Sequence, residues 1–282
     1  MAKFLITGSE GMLAYAIKNN AYFADHTSYG SKDFNLLNFE QMEAVIKRDK
    51  PEYLINCAAY TDVTKAETEF EKANAVNGEA IRDLANLSKN YDFKLIQIST
   101  DFVFSGKDFF EKHEDDEIDP VNAYGASKAK GETYALDIAK DPLILRVSWL
   151  FGPHGKNFIS VISELIKTKD EINVVSDQLG KLTYTVDTAD VLAKLIERNE
   201  SGIYHFANEG IASRYFIALE IERILKKYNM GAKSFIKAIT ANEYPDKTPR
   251  PDYSVLNTNK ISFLLGEKPR LWKNALEDFL KR

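Results

Sequence analysis

Two short stretches of this chain carry side chains able to move a proton: Ser99-Thr100-Asp101, and Tyr124-Gly125-Ala126-Ser127-Lys128. Tyrosine and lysine at i and i+4 lie on one face of a helix. An ammonium beside a phenol favours the phenolate, so Lys128 is expected to lower the Tyr124 pKa from its ordinary ~10. A tyrosine tuned in this way exchanges a proton near neutral pH. Thr100 follows the apolar run Phe93 to Ile98, which reads as a buried strand. Its hydroxyl then falls at the carboxyl end of a sheet, where open α/β folds bind their ligands. Tyr-x-x-x-Lys is by itself a common helix pattern, so the surrounding elements decide its meaning.

The first of those elements is Phe4-Leu5-Ile6, running into Thr7-Gly8-Ser9-Glu10-Gly11-Met12-Leu13-Ala14 and a helical stretch. Strand, glycine turn and helix are the context in which such a motif binds a dinucleotide. Gly8 permits the tight turn, and Gly11 lets backbone approach a pyrophosphate at the helix N-terminus. The third glycine of the usual pattern is replaced by Ala14, the next smallest side chain. A second strand leaves at His26 to Lys32. There Ser31 and Lys32 suit a 2′-phosphate while Asp33 suits a free ribose hydroxyl, so NADPH and NADH both stay open, with Lys32 favouring NADPH. Asn38 and Gln41 form a capping-box pattern ahead of the next helix.

Tyr53 to Cys57 is a third strand, ending in Ala58-Ala59-Tyr60-Thr61, where small side chains leave room for a flat ligand. Glu67 to Asn90 reads as one long amphipathic helix, with Asn77 beside its apolar stripe and suited to bonding backbone in the core. Asp101 to Pro120 is an acidic loop whose run Glu114-Asp115-Asp116-Glu117 reads as a solvated face, with His113 on the surface. Leu143 to Trp149 is a fifth strand. The alternation over residues 1–149 predicts a parallel, doubly wound sheet covered on both faces.

Beyond this point the pattern loosens. Helices are expected over Asn157 to Lys167 and Asp187 to Arg198, with a strand at Ile172 to Val175 and another at Ile203 to Phe206 carrying a half-buried His205. Ser213 is placed to cap a helix running to Lys227. Pro245 to Val255 holds three prolines and two aspartates around Arg250, a rigid loop suited to a phosphate or carboxylate.

Composition narrows the partners. A chain of 282 residues with a net charge of -5, its basic residues dispersed, gives no footprint for nucleic acid or an anionic membrane. No apolar run approaches the ~20 residues of a membrane span. The single cysteine, Cys57, allows no internal disulfide and reads as a buried small residue. With no signal-peptide pattern at the start, a cytoplasmic location is expected.

The motifs together resemble a known family. They are Thr7-Gly8-x-x-Gly11, Asn56-x-Ala58-Ala59-Tyr60-Thr61, Ser99-Thr100-Asp101-x-Val103-Phe104, Tyr124-Gly125-x-Ser127-Lys128-x-x-Gly131-Glu132, Arg146-x-Ser148-Trp149, Asp177-Gln178-x-Gly180 and Arg250-Pro251-x-Tyr253-Ser254. Over nearly its whole length the chain looks like an extended short-chain dehydrogenase/reductase, and more narrowly like the dTDP-4-dehydrorhamnose reductase family. The resemblance implies a Rossmann-type dinucleotide-binding domain over 1–150. A smaller α/β, mainly substrate-binding domain would follow over 151–282, with the strand near 202–207 returning to the first sheet. It implies reduction of the C4 ketone of a dTDP-linked 6-deoxy-hexulose by NADPH, or alternatively NADH.

Carried over, Tyr124 would protonate the C4 oxygen, Lys128 would hold the nicotinamide ribose, and Thr100 would hydrogen-bond the reacting oxygen. Gly8, Gly11, Met12, Leu13, Ala58, Ala59, Tyr60 and Thr61 would flank the cofactor. Thr100, Asp101, Phe102, Trp149, Asn157 and Arg250 would meet the nucleotide sugar.

Besides Ala14, three positions depart from the family pattern. Phe102 stands where tyrosine is frequent, and Leu182 where proline is. Ala16 replaces a glutamate through which some members bind magnesium at a dimer interface, so no metal site is expected. The quaternary state is left at monomer or homodimer. Two other readings stay open: a reductase or epimerase of another nucleotide-4-keto sugar, and a non-enzymatic regulatory subunit such as the methionine adenosyltransferase β-subunit, which resembles the same family.

Overall fold

The computed structural model describes residues 3–282. Its first five strands are β1 (Phe4–Thr7), β2 (His26–Tyr29), β3 (Tyr53–Asn56), β4 (Lys94–Thr100) and β5 (Leu143–Val147). With the strand Gly202–Phe206 they make one six-stranded sheet, ordered Gly202–Phe206, β5, β4, β3, β1, β2, in which every neighbouring pair is parallel. This is the doubly wound, Rossmann-type sheet expected from the alternating pattern. The order reverses at β1, which has β2 on one side and β3 on the other. A crevice opens there beyond the carboxyl ends of the strands.

Strand periodicity explains why both faces are covered. Phe4 and Ile6 pack into one apolar layer with Ala14 and Ile17 of the first helix (Met12–Lys18) and with Leu192 and Leu195. Leu5, one residue out of phase, packs into the other layer with Met42, Ile46, Ile81 and Leu84. Successive strand side chains point to opposite faces, so each strand supplies both layers and reads as an unbroken apolar run.

Several local readings change. The long helix expected over Glu67 to Asn90 runs unbroken from Phe70 to Tyr91, as Phe70–Asn74, a π-turn at Ala75–Glu79 and Ala80–Tyr91, with a separate short helix Val63–Ala66 ahead of it. The wider turn accommodates Asn77, whose amide bonds both the N–H and the C=O of Tyr60, at 2.9 and 3.0 Å. Asn38 does cap its helix, accepting from the Gln41 N–H at 2.9 Å. The reciprocal half of that box is absent, because the Gln41 amide instead bonds the Asn35 N–H and the Lys32 carbonyl.

Glu114 is not on a solvated face. Its carboxylate accepts from the His205 N–H at 3.0 Å, and its carbonyl accepts from Arg146. His205 is fully buried rather than half-buried, against the ion pair of Arg146 and Glu132 at 2.7 Å. Burial holds its imidazole well below the ordinary range, with the Arg146 charge acting the same way.

The later part of the chain packs a separate core around the helices Phe158–Thr168, Arg214–Lys227 and Trp272–Leu280. Ser213 caps the second of these, accepting from the Phe216 N–H at 3.1 Å. Small strand pairs fringe it: Glu171–Val175 with Phe235–Ile239, and Leu179–Gly180 between Ala212–Ser213 and Tyr253–Ser254. Leu182 is buried in this core. Among the described residues, no helix is long and apolar enough to cross a membrane.

Candidate active site

The C-terminal end of β4 delivers Thr100. Its hydroxyl accepts from the Phe102 N–H at 3.2 Å, starting a turn over Asp101–Val103, and donates to Asp101 Oδ1 at 3.0 Å. Facing it is the helix Ala123–Ile138, capped by Asn122, which accepts from the Gly125 N–H at 2.7 Å. Gly125 is required by contact: a Cβ there would lie 2.1 Å from the Phe102 carbonyl oxygen. The helix can therefore approach the strand end closely enough to share one cavity with it. Gly131, one turn past Lys128, meets the π-turn in the same way, with the Asn77 carbonyl 2.1 Å from where its Cβ would be.

The periodicity of this helix puts Tyr124 and Lys128 on the same face. The Lys128 ammonium donates to the Ile98 carbonyl at 2.6 Å. Burial pulls it down to about 8, opposed by the charge of Glu132. Burial pushes the Tyr124 phenol up to about 12, against the Thr100 hydroxyl and together with the Asp101 charge. The expected lowering of Tyr124 by Lys128 does not occur in this arrangement, because removal of the phenol from water outweighs the favourable contacts. The Phe102 ring meets Tyr124 edge-on, with centroids 5.8 Å apart.

On the other side of the cavity, Gly8 has φ +63, and a Cβ would meet the Ala58 nitrogen at 2.7 Å. The glycine turn thus lies directly on the backbone that follows β3. Cross-strand bonds pin this edge: Thr7 Oγ1 donates to Asn56 Oδ1 at 2.5 Å, and Asn56 Nδ2 donates to Gln97 at 2.8 Å. Gly11 is the N-cap of the first helix and offers no side-chain acceptor. The first-turn N–H groups at Met12 and Leu13 therefore have no partner within the helix. Free N–H groups beside a glycine-lined turn, with small Ala58 and Ala59 opposite, fit the phosphates and nicotinamide half of a dinucleotide.

These parts enclose a cavity of about 430 Å³. Gly11, Met12, Leu13, Ala58, Ala59, Thr61, Thr100, Asp101, Phe102, Tyr124, Lys128, Trp149 and Arg250 all line it. Four expected residues do not. Gly8 opens the turn and faces the Ala58 backbone instead. Tyr60 has its backbone bound by Asn77 and its hydroxyl near Glu69 at 3.2 Å. Lys32 is exposed beyond the end of β2. Asn157 is used up as a helix cap, accepting from the Ser160 N–H at 3.1 Å and donating to the Gly152 carbonyl at 3.1 Å.

Cys57 is only half-buried, and its side lines the cavity. Burial pushes its thiol up to about 12, which leaves it unreactive. Asp101 is buried and pushed up to about 6, for the same reason.

The sequence reading missed Arg214, which faces this cavity and also a neighbouring one of about 480 Å³. A signal was present: Arg214 directly follows the capping Ser213, and a cation in the first helical turn opposes the helix dipole. The second cavity is walled by Phe158, Val161, Leu165, Gln178 and Tyr244, with Arg214 and Arg250 common to both.

A parallel sheet with a glycine turn at its switch point, and a Tyr-x-x-x-Lys helix over the neighbouring strand ends, defines an extended short-chain dehydrogenase/reductase. Comparison with known proteins narrows this class. A family model described as the RmlD substrate binding domain matches residues 2–282. The spore coat polysaccharide biosynthesis protein SpsK of Bacillus subtilis (strain 168) is 36% identical over 283 residues, which cover 100% of this chain and 98% of the relative. The dTDP-4-dehydrorhamnose reductase of Aggregatibacter actinomycetemcomitans is 34% identical, over 99% of this chain and 98% of its own length. The structure of dTDP-4-dehydrorhamnose reductase from Bacillus anthracis str. Ames in complex with NADP superposes with a TM-score of 0.93 at 33% identity, covering 100% of this chain and 99% of that one. The chain belongs to the dTDP-4-dehydrorhamnose reductase (RmlD) family.

Proposed function

We propose that this protein reduces the C4 ketone of dTDP-4-dehydro-L-rhamnose to give dTDP-L-rhamnose, with NADPH as reductant. The observation that carries the reading is the convergence of Thr100, Tyr124 and Lys128 with the glycine turn on one cavity, open to a second beyond Arg214 and Arg250. Residues 1–150 then serve mainly the cofactor and 151–282 mainly the substrate. Bound NADPH supplies a hydride to the ketone carbon. The matching proton goes to the ketone oxygen from Tyr124 Oη.

A phenol held near 12 keeps its proton at neutral pH and is a weak acid, so it yields the proton to an oxygen as basic as the alkoxide that hydride transfer creates. As it gives up the proton, the Lys128 cation one helical turn away offsets the growing phenolate charge. The Thr100 hydroxyl, released from Asp101, would donate to the same oxygen and hold it toward Tyr124. The Lys128 ammonium would also bind the nicotinamide ribose. Lys32 is an exposed cation beyond the end of β2, the end at which a 2′-phosphate is met in such sheets, which supports NADPH over NADH.

Phe102 and Leu182 favour keeping a second reading, in which the same residues reduce a different nucleotide-4-keto sugar. Both readings are tested by one panel: several nucleotide-4-keto sugars, each with NADPH and with NADH, followed by loss of absorbance of the reduced cofactor. Fastest oxidation with dTDP-4-dehydro-L-rhamnose and NADPH is expected. Faster turnover of another sugar selects the second reading. No oxidation with any sugar would falsify both and favour a regulatory subunit.

A further inference from the structure

The segment that follows β5 joins two walls of the cofactor cavity. Trp149 and Leu150 line the cavity beyond the end of β5, and Gly11 and Met12 line it beyond the end of β1. In the sheet, β4 and β3 stand between those two strands. Three strand spacings, about 14 Å, therefore separate their ends. Residues 152–157 cover that distance. No Cβ fits at Gly152 against the Thr185 hydroxyl, which fixes the start of the segment. At its end, the Asn157 amide donates to the Gly152 carbonyl at 3.1 Å and ties the base together. Between them His154, Gly155 and Lys156 form an exposed tip.

One residue pins this tip to the glycine turn. The Glu10 carbonyl can only accept, so His154 Nε2 carries the proton and donates to it at 3.0 Å. The same ring lies flat on Tyr15 of the first helix, with centroids 4.9 Å apart and planes 6° from parallel. His154 holds φ +70, a left-handed conformation that costs energy in any residue with a side chain. Glycine would fit that backbone better but could make neither contact. The described residues that line the cavity include none of Glu10, Tyr15 and His154. The pin thus stands outside the space that a cofactor would fill.

We propose that residues 152–157 form a gate on the cofactor cavity and that His154 is the positioning residue that latches it to the glycine turn. NADPH enters, and the oxidised cofactor leaves, when the tip swings off Glu10 and Tyr15. The inference rests on the NADPH reading above. It carries a kinetic signature of its own. A latch that touches neither the cofactor nor the cavity wall holds the gate equally with the cavity empty or filled. Unlatching then speeds entry and exit by one common factor and leaves the affinity unchanged. A contact that shaped the glycine turn would act on the affinity instead.

The test is stopped-flow NADPH fluorescence with the wild-type protein, His154→Gly and Tyr15→Leu. Mixing gives the association rate constant, and a chase with excess NADP⁺ gives the dissociation rate constant. His154→Gly removes the latch and relieves the backbone together, so its thermal midpoint should equal or exceed that of wild type. In both variants the two rate constants should rise together by about three- to tenfold, the scale of one hydrogen bond and a ring stack. The ratio of the two, Kd, should stay within about twofold of wild type. Unchanged rate constants mean that the segment bars nothing, and overturn the proposal. Faster dissociation with unchanged association also overturns it, because His154 then serves the shape of the turn. Failure of the NADPH reading itself would appear separately, as no binding to the wild type, and would take the gate with it.

Discussion

The inner and outer halves of the site are built differently. The inner half rests on backbone contact: Gly125 against the Phe102 carbonyl, Gly8 against Ala58, and Gly131 against the π-turn at Asn77. Each leaves no room for a Cβ, so the helix of Tyr124 and Lys128, the β4 end and the glycine turn are placed by the chain itself. The outer half rests on side chains. Trp149, Phe158 and Arg214 stack on one another, and Arg250 is aimed by Asp246, itself tied to Thr248 and Thr64. A contact between backbones tolerates almost no change, whereas stacked side chains can exchange shape and charge. On the proposed function, reaction chemistry and substrate choice would be carried by parts with very different tolerance.

The comparison can be broken most sharply at Tyr124. Tyr124→Phe should reduce kcat by about 10²–10⁴-fold, the usual contribution of a positioned acid. Its thermal midpoint and NADPH affinity should stay at wild-type values. Turnover within a few-fold of wild type would remove the proton-donor role. Next comes Gly125→Ala. The added methyl must displace the Phe102 turn, so unfolding should become easier by about 1–3 kcal/mol, with most activity lost. If urea denaturation shows an unchanged midpoint, the backbone contact is softer than its geometry implies.

A third measurement separates chemistry from stability in the inner half. Lys128 is charged below about 8 and neutral above it, whereas Tyr124 keeps its proton until about 12. The kcat/KM of the wild type should therefore fall as pH rises through about 8, with no second limb from Tyr124 below about 12. The folded pKa of Lys128 lies below its ordinary 10.5, so between about 8 and 10.5 the unfolded chain binds more protons. Stability from this group rises with pH across that window. Activity and stability should move in opposite directions there, and Lys128→Met should flatten both trends.

The smallest effect is expected in the outer half. Asp246→Asn frees Arg250 from its ion pair without touching the inner residues. KM for the nucleotide sugar should change by about two- to fivefold, with kcat and KM for NADPH unaltered. A large drop in kcat would show that the two halves are mechanically coupled.

Much of the inner half was legible in the chain. Strand alternation, the glycine turn and the i, i+4 pair depend on neighbours in sequence, so the fold class and the positions of Thr100, Tyr124, Lys128, Ala58 and Ala59 at strand and helix ends could be read locally, whereas Met12 and Leu13 were named only through the family resemblance. Asn77 was legible too, as a polar residue bonding backbone within the core. The misreadings have a common physical origin. Asn157 looks like a ligand until the start of its helix is known, and then it is a cap. Glu114 looks solvated in an acidic run until the strand bearing His205 arrives beside it. The pairing of Phe235–Ile239 with Glu171–Val175 joins distant segments and leaves no local mark.

The sequence by itself determined which chemistry is available, because residue types at fixed helical and strand periods decide what can share a face. Tertiary structure alone decided the direction in which Tyr124, Lys128 and Asp101 are shifted, because burial is the largest cause at each and depends on what packs around them. It also decided that Arg214 and Arg250, which belong to unrelated local patterns, stand at one neck between two cavities. Charge acts through space rather than along the sequence, so that meeting could be found only once the chain was folded.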